Sequence, residues 1–151
     1  MSDTPLHILI ADDDDGDRLL FSEALRGLPL ATKLTALNGG EQLMEYLWNA
    51  DKLPHLLFLD LNMPRKNGFE CLREIKQHEK LSRMPVVIFS TSDDAQDIDR
   101  VYTGGAHLYL VKPTGFLDLI KNVSHVILMS LDPEFKPLPK DSFVIKTPSA
   151  L

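Results

Sequence analysis

Residues 56–70, LLFLDLNMPRKNGFE, carry the clearest indication of the fold of this chain. The stretch opens with the apolar run Leu56–Leu59, passes through Asp60 and a loop with Pro64 and Gly68, and then takes on helical spacing. A short, continuous apolar run is typical of a strand that is covered on both faces, as in a parallel sheet. The stretch therefore predicts a buried strand, a loop that carries a carboxylate, and a helix.

The same pattern recurs on both sides of this stretch. Continuous apolar runs occupy His7–Ala11, Val86–Phe89 and Leu108–Val111, and a weaker run, Lys33–Leu37, is a candidate edge strand. Segments with helical spacing separate the runs, so strand and helix alternate about five times with short connections. This alternation predicts an α/β fold with a doubly wound sheet and right-handed crossovers.

Three of the intervening segments carry apolar residues at helical intervals, which we interpret as faces that pack on the sheet. These residues are Leu19, Leu20, Ala24, Leu25 and Leu28; Leu43, Met44, Leu47 and Trp48; and Phe116, Leu119, Ile120, Val123, Val126 and Ile127. Cys71, on the helix after residue 67, is interpreted as a small core residue.

The periodic pattern stops after Met129. We therefore predict one domain over residues 1–130 and a proline-rich tail or arm over residues 131–151, with Pro133, Pro137, Pro139 and Pro148. The chain of 151 residues suits a single domain of ordinary size. Within the arm, Phe143–Ile145 is apolar enough to dock on the domain.

Composition excludes several classes of protein. Sixteen basic and 22 acidic residues give a formal net charge of −6, and there is no basic stripe, so nucleic acid is not expected as a partner. A single cysteine excludes an internal disulfide and a cysteine metal cluster. Residues 1–6 lack a secretory signal pattern, and no apolar stretch reaches the roughly 20 residues that span a bilayer. We expect a cytoplasmic protein without a membrane partner.

Polar side chains follow the predicted strands directly. Asp12 and Asp13 follow the first strand, Asp60 the third, Ser90 the fourth and Lys112 the fifth. Because sites in open parallel sheets form beyond the carboxyl ends of the strands, we expect these side chains to meet at one edge. The competing hydroxyls of Thr91 and Ser92 leave the register at Ser90 open.

Three carboxylates at one edge require a compensating charge. Two of them about 5 Å apart repel by roughly 3 kcal/mol at an effective dielectric of about 20. Oxygen ligands favour a hard divalent ion such as Mg²⁺, which commonly also binds phosphate oxygens. Such a site suits phosphoryl transfer, with Asp60 attacking phosphorus to form an acyl phosphate and Lys112 neutralising its oxygens.

Other interpretations of these residues are weaker. An acidic run such as Asp12–Asp17 is in most chains a solvated loop and helix cap, but here it follows a strand and accompanies Asp60 and Lys112. An EF-hand would place Ala11 and Ser22 at two positions that need oxygen ligands, so that assignment fails. The five histidines lack metal-ligand or triad spacing.

Four segments of the chain resemble the response regulator receiver family, which includes CheY. They are ILIADDDD (8–15), LLFLDLNMPRKNGFE (56–70), PVVIFSTS (85–92) and GAHLYLVKP (105–113). The resemblance covers about residues 6–130. It implies a CheY-like, flavodoxin-like three-layer sandwich with five helices and a five-stranded parallel sheet in the order 2-1-3-4-5.

The resemblance also implies a role for each site residue. Asp60 would be the phosphorylated nucleophile. Asp13 would bind Mg²⁺ directly, Asp12 mainly through water, and Asn62 through its backbone carbonyl. Asn62 would also line the path of the water that removes the phosphoryl group.

The remaining roles concern the phosphoryl oxygens and the response to them. Ser90 would donate a hydrogen bond and Lys112 would form an ion pair. Tyr109 would be a switch that turns inward when Ser90 is drawn toward the phosphoryl group. Pro113 is the cis-prone proline of the family, and Ser92 would line the water path.

These roles imply a phosphoacceptor switch in two-component signal transduction, not an enzyme acting on other substrates. A sensor histidine kinase or a histidine phosphotransfer protein would supply the phosphoryl group, and an unidentified downstream protein would read it. The arm is also a candidate contact for a homodimer. Two alternatives are a haloacid-dehalogenase-type phosphatase, which needs an acid where Asn62 stands, and a degenerate receiver that only binds.

Overall fold

The structure is a computed structural model that describes residues 4–147. Residues 1–3 and 148–151 lie outside the described residues, so the predicted arm of residues 131–151 can be followed only to residue 147. No helix among residues 4–147 has both the length and the apolar character needed to cross a membrane.

Six strands and five helices alternate along residues 4–147. The strands are β1 (Leu6–Ala11), β2 (Thr32–Leu37), β3 (Leu56–Leu59), β4 (Val86–Ser90), β5 (Leu108–Val111) and β6 (Val144–Ile145). The helices are α1 (Asp15–Arg26), α2 (Gly40–Asn49), α3 (Gly68–Gln77), α4 (Ala95–Thr103) and α5 (Phe116–Ser130). All five predicted strands are present, including the edge strand β2.

The sheet is parallel and has the strand order 2-1-3-4-5-6. The predicted order 2-1-3-4-5 is therefore confirmed, whereas the predicted number of five strands is wrong. The additional strand, β6, comes from the arm and pairs with β5 through Tyr109–Val144 and Leu110–Ile145. A strand of two residues is too short to show a periodic pattern, but it satisfies backbone groups that an edge strand leaves unpaired.

Two apolar cores lie on opposite faces of the sheet. One face is covered by α2, α3 and α4, and includes Leu57, Leu59, Ile88 and Tyr109 of the sheet. The other face is covered by α1 and α5, and includes Phe58 and Phe89. This arrangement is the predicted three-layer sandwich, and it explains why the central strands are apolar at every position.

Several residues of the predicted apolar stripes lie at the surface. Leu19 is 63% exposed and Trp48 is 48% exposed, and Leu20 and Phe116 are also exposed. In α1 the buried residues are Phe21, Ala24 and Leu25, which share one face at the i, i+3, i+4 interval. The apolar stripe in the sequence is thus wider than the face that the sheet covers. Cys71 is buried, as predicted.

Candidate functional site

The backbone hydrogen bonds between neighbouring strands continue past the strand ends and include those of the site residues. The Asp12 N–H donates to the Leu37 carbonyl and the Asp60 N–H to the Ala11 carbonyl, each over 3.0 Å. The Lys112 N–H donates to the Ser90 carbonyl over 2.8 Å. Because the backbone of these residues is fixed by neighbouring strands, their side chains start from rigid positions at one edge of the sheet.

Three carboxylates converge at this edge. Asp12, Asp13 and Asp60 each place one carboxylate oxygen so that all three oxygens lie within 4.8 Å of one another. Asp12 is fully buried and Asp60 is 6% exposed, whereas Asp13 is exposed. The cluster is therefore a cleft with two desolvated acids at its base and one acid at its solvent side.

The Asp12 carboxylate is only partly satisfied by hydrogen bonds. Its Oδ1 accepts from the Asp14 N–H over 3.0 Å, and the Asp12 carbonyl accepts from the Arg18 guanidinium over 2.7 Å. Its buried Oδ2 lies 2.7 Å from Lys112 Nζ as an ion pair, but no donor in residues 4–147 is aligned with it for a hydrogen bond. This oxygen is therefore paired by charge alone among residues 4–147, and it retains lone pairs that could also coordinate a metal ion.

Lys112 is the shared counter-charge of the cleft. Its Nζ lies 2.7 Å from Asp12 Oδ2 and 3.7 Å from Asp60 Oδ2. It also lies 2.9 Å from Asp17 Oδ2 and donates a hydrogen bond to it. Asp17 was not among the predicted site residues, although it belongs to the acidic run Asp12–Asp17. Its contact with Lys112 depends on the phase of α1, which the Asp14 cap sets by accepting from the Asp17 N–H.

Burial and charge act against each other on these groups. Burial raises the pKa of Asp60 to about 6, although Lys112 and the backbone N–H groups of Leu61 and Asn62 lower it. Burial also raises the pKa of Asp12, with Lys112 again opposing the shift. For Lys112, burial alone would lower the pKa, but the neighbouring carboxylates outweigh burial and raise it. Burial is thus the largest influence on both carboxyl groups, and Lys112 offsets it only in part.

The loop after β3 is held close to Asp60 by the start of α3. Asn67 and Glu70 form a capping box, in which each side chain accepts from the other's backbone N–H. The Gly68 N–H donates to the Leu61 carbonyl over 3.0 Å. A Cβ atom on Gly68 would lie 2.2 Å from the Asp60 carbonyl oxygen, so only glycine allows this approach.

Ser90 and Tyr109 are connected through Ser92. The Ser90 hydroxyl accepts from the Ser92 N–H over 3.2 Å, and the Tyr109 hydroxyl donates to the Ser92 carbonyl over 2.8 Å. Burial raises the pKa of the Tyr109 phenol, against hydrogen bonding by Ser90 and Ser92. The loop after β4 thus joins the predicted hydroxyl residue to the predicted switch residue.

The arm covers Tyr109 from the side. Phe143 is fully buried, and its ring centroid lies 5.1 Å from that of Tyr102 and 6.4 Å from that of Tyr109. The Tyr109 N–H donates to the Phe143 carbonyl over 2.9 Å. Tyr109 is therefore already buried in this structure, between α4 and the arm.

Two further predicted residues lie next to the cleft. The side chain of Asn62 is exposed, and its backbone N–H contacts the Asp60 carboxylate. All peptide bonds of residues 4–147 are trans, including that between Lys112 and Pro113.

The donor set fits a hard divalent cation. It consists of carboxylate oxygens, it includes a buried oxygen without an aligned donor, and it leaves one acid facing solvent. Such ions take oxygen ligands and retain part of their water shell. The carboxylates of Asp12, Asp13 and Asp60 could hold one.

Comparison with known proteins agrees with this geometry. Residues 8–124 match the family described as the response regulator receiver domain. The response regulator Rcp1 of Synechocystis sp. is 35% identical over 130 residues, which cover 83% of this chain and 88% of Rcp1.

Solved structures give the same result. The Mn²⁺-bound form of Rcp1 has a TM-score of 0.78 at 33% identity, and covers 89% of this chain and 100% of that one. The phosphorylated cyanobacterial phytochrome response regulator RcpA has a TM-score of 0.80 at 30% identity, with the same coverage. The chain belongs to the response regulator receiver domain family, and it is a response regulator of two-component signal transduction.

Proposed function

We propose that Asp60 accepts a phosphoryl group from the phosphohistidine of a sensor histidine kinase or a histidine phosphotransfer protein. The bond from phosphorus to the imidazole nitrogen breaks, with its electron pair returning to the ring, as a bond from a carboxylate oxygen to phosphorus forms. The observation that carries this proposal is the position of the Asp60 carboxylate, 6% exposed and 3.7 Å from the Lys112 ammonium.

We propose Mg²⁺ as the ion of the cleft, held by Asp12, Asp13 and Asp60, with the backbone carbonyl of Asn62 as a further ligand. The ion would supply positive charge against the carboxylates and the phosphoryl oxygens. The oxygen-only donors support this assignment, and so does the description of the relative Rcp1 as an Mn²⁺-bound form. Self-phosphorylation by small phosphodonors should accordingly depend on Mg²⁺.

The other side chains of the cleft orient the phosphoryl group. Lys112 would move from its carboxylate partners to a phosphoryl oxygen, and the Ser90 hydroxyl would donate to another. Because Ser90 is joined to Tyr109 through Ser92, we propose that a shift of Ser90 changes the packing of Tyr109. The altered surface of α4, β5 and α5 would then be recognised by a downstream protein.

Removal of the phosphoryl group would need water to reach the aspartyl phosphate. We propose that Asn62 and Ser92 line this path and set the rate of self-dephosphorylation. The Asn62 side chain is exposed beside Asp60, and the Ser92 hydroxyl donates to Asp97 over 2.8 Å. Substitution of either residue should alter the decay rate and leave phosphorylation intact.

The experiment is incubation with Mg²⁺ and acetyl phosphate, followed by intact-mass measurement. The wild-type protein should gain one phosphoryl group, and Asp60→Asn should gain none. Asp13→Asn should need more Mg²⁺ for the same yield. Asp15→Asn is the matched control, because Asp15 is 93% exposed in the same acidic run and pairs with Arg18. Equal labelling of Asp60→Asn and wild type would contradict the assignment.

We propose further that the upstream kinase is of the phytochrome type, as the description of the relative RcpA suggests. Phosphotransfer from the phytochrome-type kinase of the source organism should then be faster than from its other histidine kinases. Equal rates would remove this assignment and leave Asp60 as the phosphoacceptor.

The domain boundaries remain proposals: a receiver domain over residues 1–130 and an arm over residues 131–151. The match to the family ends at residue 124, before the arm.

We place the protein in the cytoplasm, where its phosphodonors act. We propose that a homodimer forms through the arm. Deletion of residues 131–151 should then convert a dimer into a monomer, as measured by light scattering. The same number of subunits with and without the arm would contradict the proposal.

A further inference from the structure

A groove of about 410 Å³ lies between α3 and α4. Phe69 and Leu72 provide its apolar lining, and three cationic side chains surround them. The cationic residues are Arg73, Lys76 and Arg100. Most of these residues follow the first turn of their helices, so the groove extends away from the strand ends that carry the carboxylate cleft.

The three cations have no carboxylate partner within residues 4–147. Lys76 Nζ is within 3.5 Å of only a neutral acceptor, the Ser82 carbonyl, and burial lowers its pKa. The Arg100 guanidinium lies 4.1 Å from the centroid of the Phe69 ring. Stacking on an aromatic face leaves the N–H edge of an arginine free to bind an anion.

Charge and shape identify the kind of occupant. The chain carries a net charge of −6, so an acidic partner is repelled by the molecule as a whole and attracted only at local basic sites. Arg73 and Arg100 are exposed on the two sides of the groove, where each can form a bidentate pair with a carboxylate. Gly104 lies at the groove and packs closely on Leu72, since a Cβ atom there would lie 3.1 Å from the Leu72 side chain.

We propose that the groove between α3 and α4 binds an acidic, amphipathic segment of a partner protein. Carboxylates of the segment pair with Arg73 and Arg100, and an apolar side chain packs on the half-buried Phe69 ring. Leu72, which is 3% exposed, forms only the floor of the groove. Arginine is enriched among the residues that dominate binding at interfaces. The proposal is independent of the phosphoacceptor role of Asp60, because it uses other residues and another surface.

The probe is a short fluorescent peptide of alternating glutamate and leucine residues, with glutamine replacing glutamate in the control peptide. Anisotropy should show binding of the glutamate peptide about tenfold or more tighter than of the control, weakening as salt is added. Amide shifts in NMR spectra should concentrate at Leu72 and Gly104. Equal binding of both peptides, or shifts located elsewhere, would overturn the proposal.

The variants separate a local effect from net charge. Arg73→Glu with Arg100→Glu should reduce binding at least about tenfold, whereas Lys33→Glu with Lys121→Glu, an equal charge change at exposed sites elsewhere, should leave it unchanged. Arg73→Gln with Arg100→Gln retains similar size and should also weaken binding if the first pair does not fold. Both pairs should still be phosphorylated on Asp60. Binding of free glutamate as tight as that of the peptide would exclude a partner segment.

Discussion

Replacement of Gly68 by alanine tests how closely the phosphoacceptor loop is held. Gly68 is the first residue of α3, and a Cβ atom there would lie 2.2 Å from the Asp60 carbonyl oxygen and 2.8 Å from Leu61 Cα. Of the described glycines, only Gly105 has a positive φ. The cost of the substitution is therefore steric, and no left-handed conformation contributes to it.

The size of the effect follows from the distance. Backbone must move by about 1 Å to restore a normal contact, and overpacking of this kind costs about 1–3 kcal/mol or more. Because both neighbouring atoms belong to backbone, which cannot rotate away, we expect about 3 kcal/mol. For a chain of 151 residues this corresponds to a fall in Tm of about 6–12 °C. Displacement of Asp60 by about 1 Å should also slow phosphorylation at least tenfold.

Urea denaturation and the rate of labelling by acetyl phosphate measure the two effects. The matched control is Gly27→Ala, whose Cβ atom would lie 3.5 Å from the Ala24 carbonyl oxygen and 3.8 Å from Ile120, both ordinary contacts. Its φ of −79° suits alanine, so its stability should change by less than about 1 kcal/mol. If Gly68→Ala matches Gly27→Ala in stability and labels at the wild-type rate, the close approach does not position Asp60.

Three further predictions concern Lys112, the arm and pH. Lys112→Met leaves the buried Asp12 and Asp60 carboxylates without their ammonium partner, so labelling by acetyl phosphate should slow at least about tenfold; a wild-type rate would refute the role of Lys112. Phe143→Ala removes a fully buried ring and should lower the free energy of unfolding by about 3 kcal/mol. An equal loss in Lys136→Ala, an exposed control in the arm, would show that Phe143 does not anchor it. Burial lowers the pKa of His107 from 6.5 to about 4, so the unfolded chain takes up a proton first, and His107 by itself should lower the stability by about 1–2 kcal/mol between about pH 7 and pH 5. Asp60, whose pKa is raised to about 6, contributes with the opposite sign over this range, so the effect of His107 is measured as the difference between wild type and variant. His107→Gln should remove the contribution of His107, and an unchanged pH dependence would contradict it.

The fold class and the location of the cleft could be predicted from residue patterns, whereas the strand order came from the family resemblance. Continuous apolar runs that alternate with helical stripes leave a doubly wound parallel sheet as the consistent fold, and this was confirmed. Once the strands are parallel, residues at their carboxyl ends share one edge. The convergence of Asp12, Asp60 and Lys112, up to 100 positions apart in the chain, therefore needs no side-chain detail.

The packing of distant elements, rather than any local pattern, sets which polar side chains meet across that edge and what covers the flanks. Asp17 reaches Lys112 because the phase of α1 turns it inward, and Phe143 finds a site between Tyr102 and Tyr109 although no periodic pattern precedes it. The periodic pattern of a sequence indicates which face of a helix or strand is apolar, because side chains on one face recur at a fixed interval. A contact between two distant residues depends on how the packed elements are oriented. It occurs once, so it leaves no periodic pattern in the sequence.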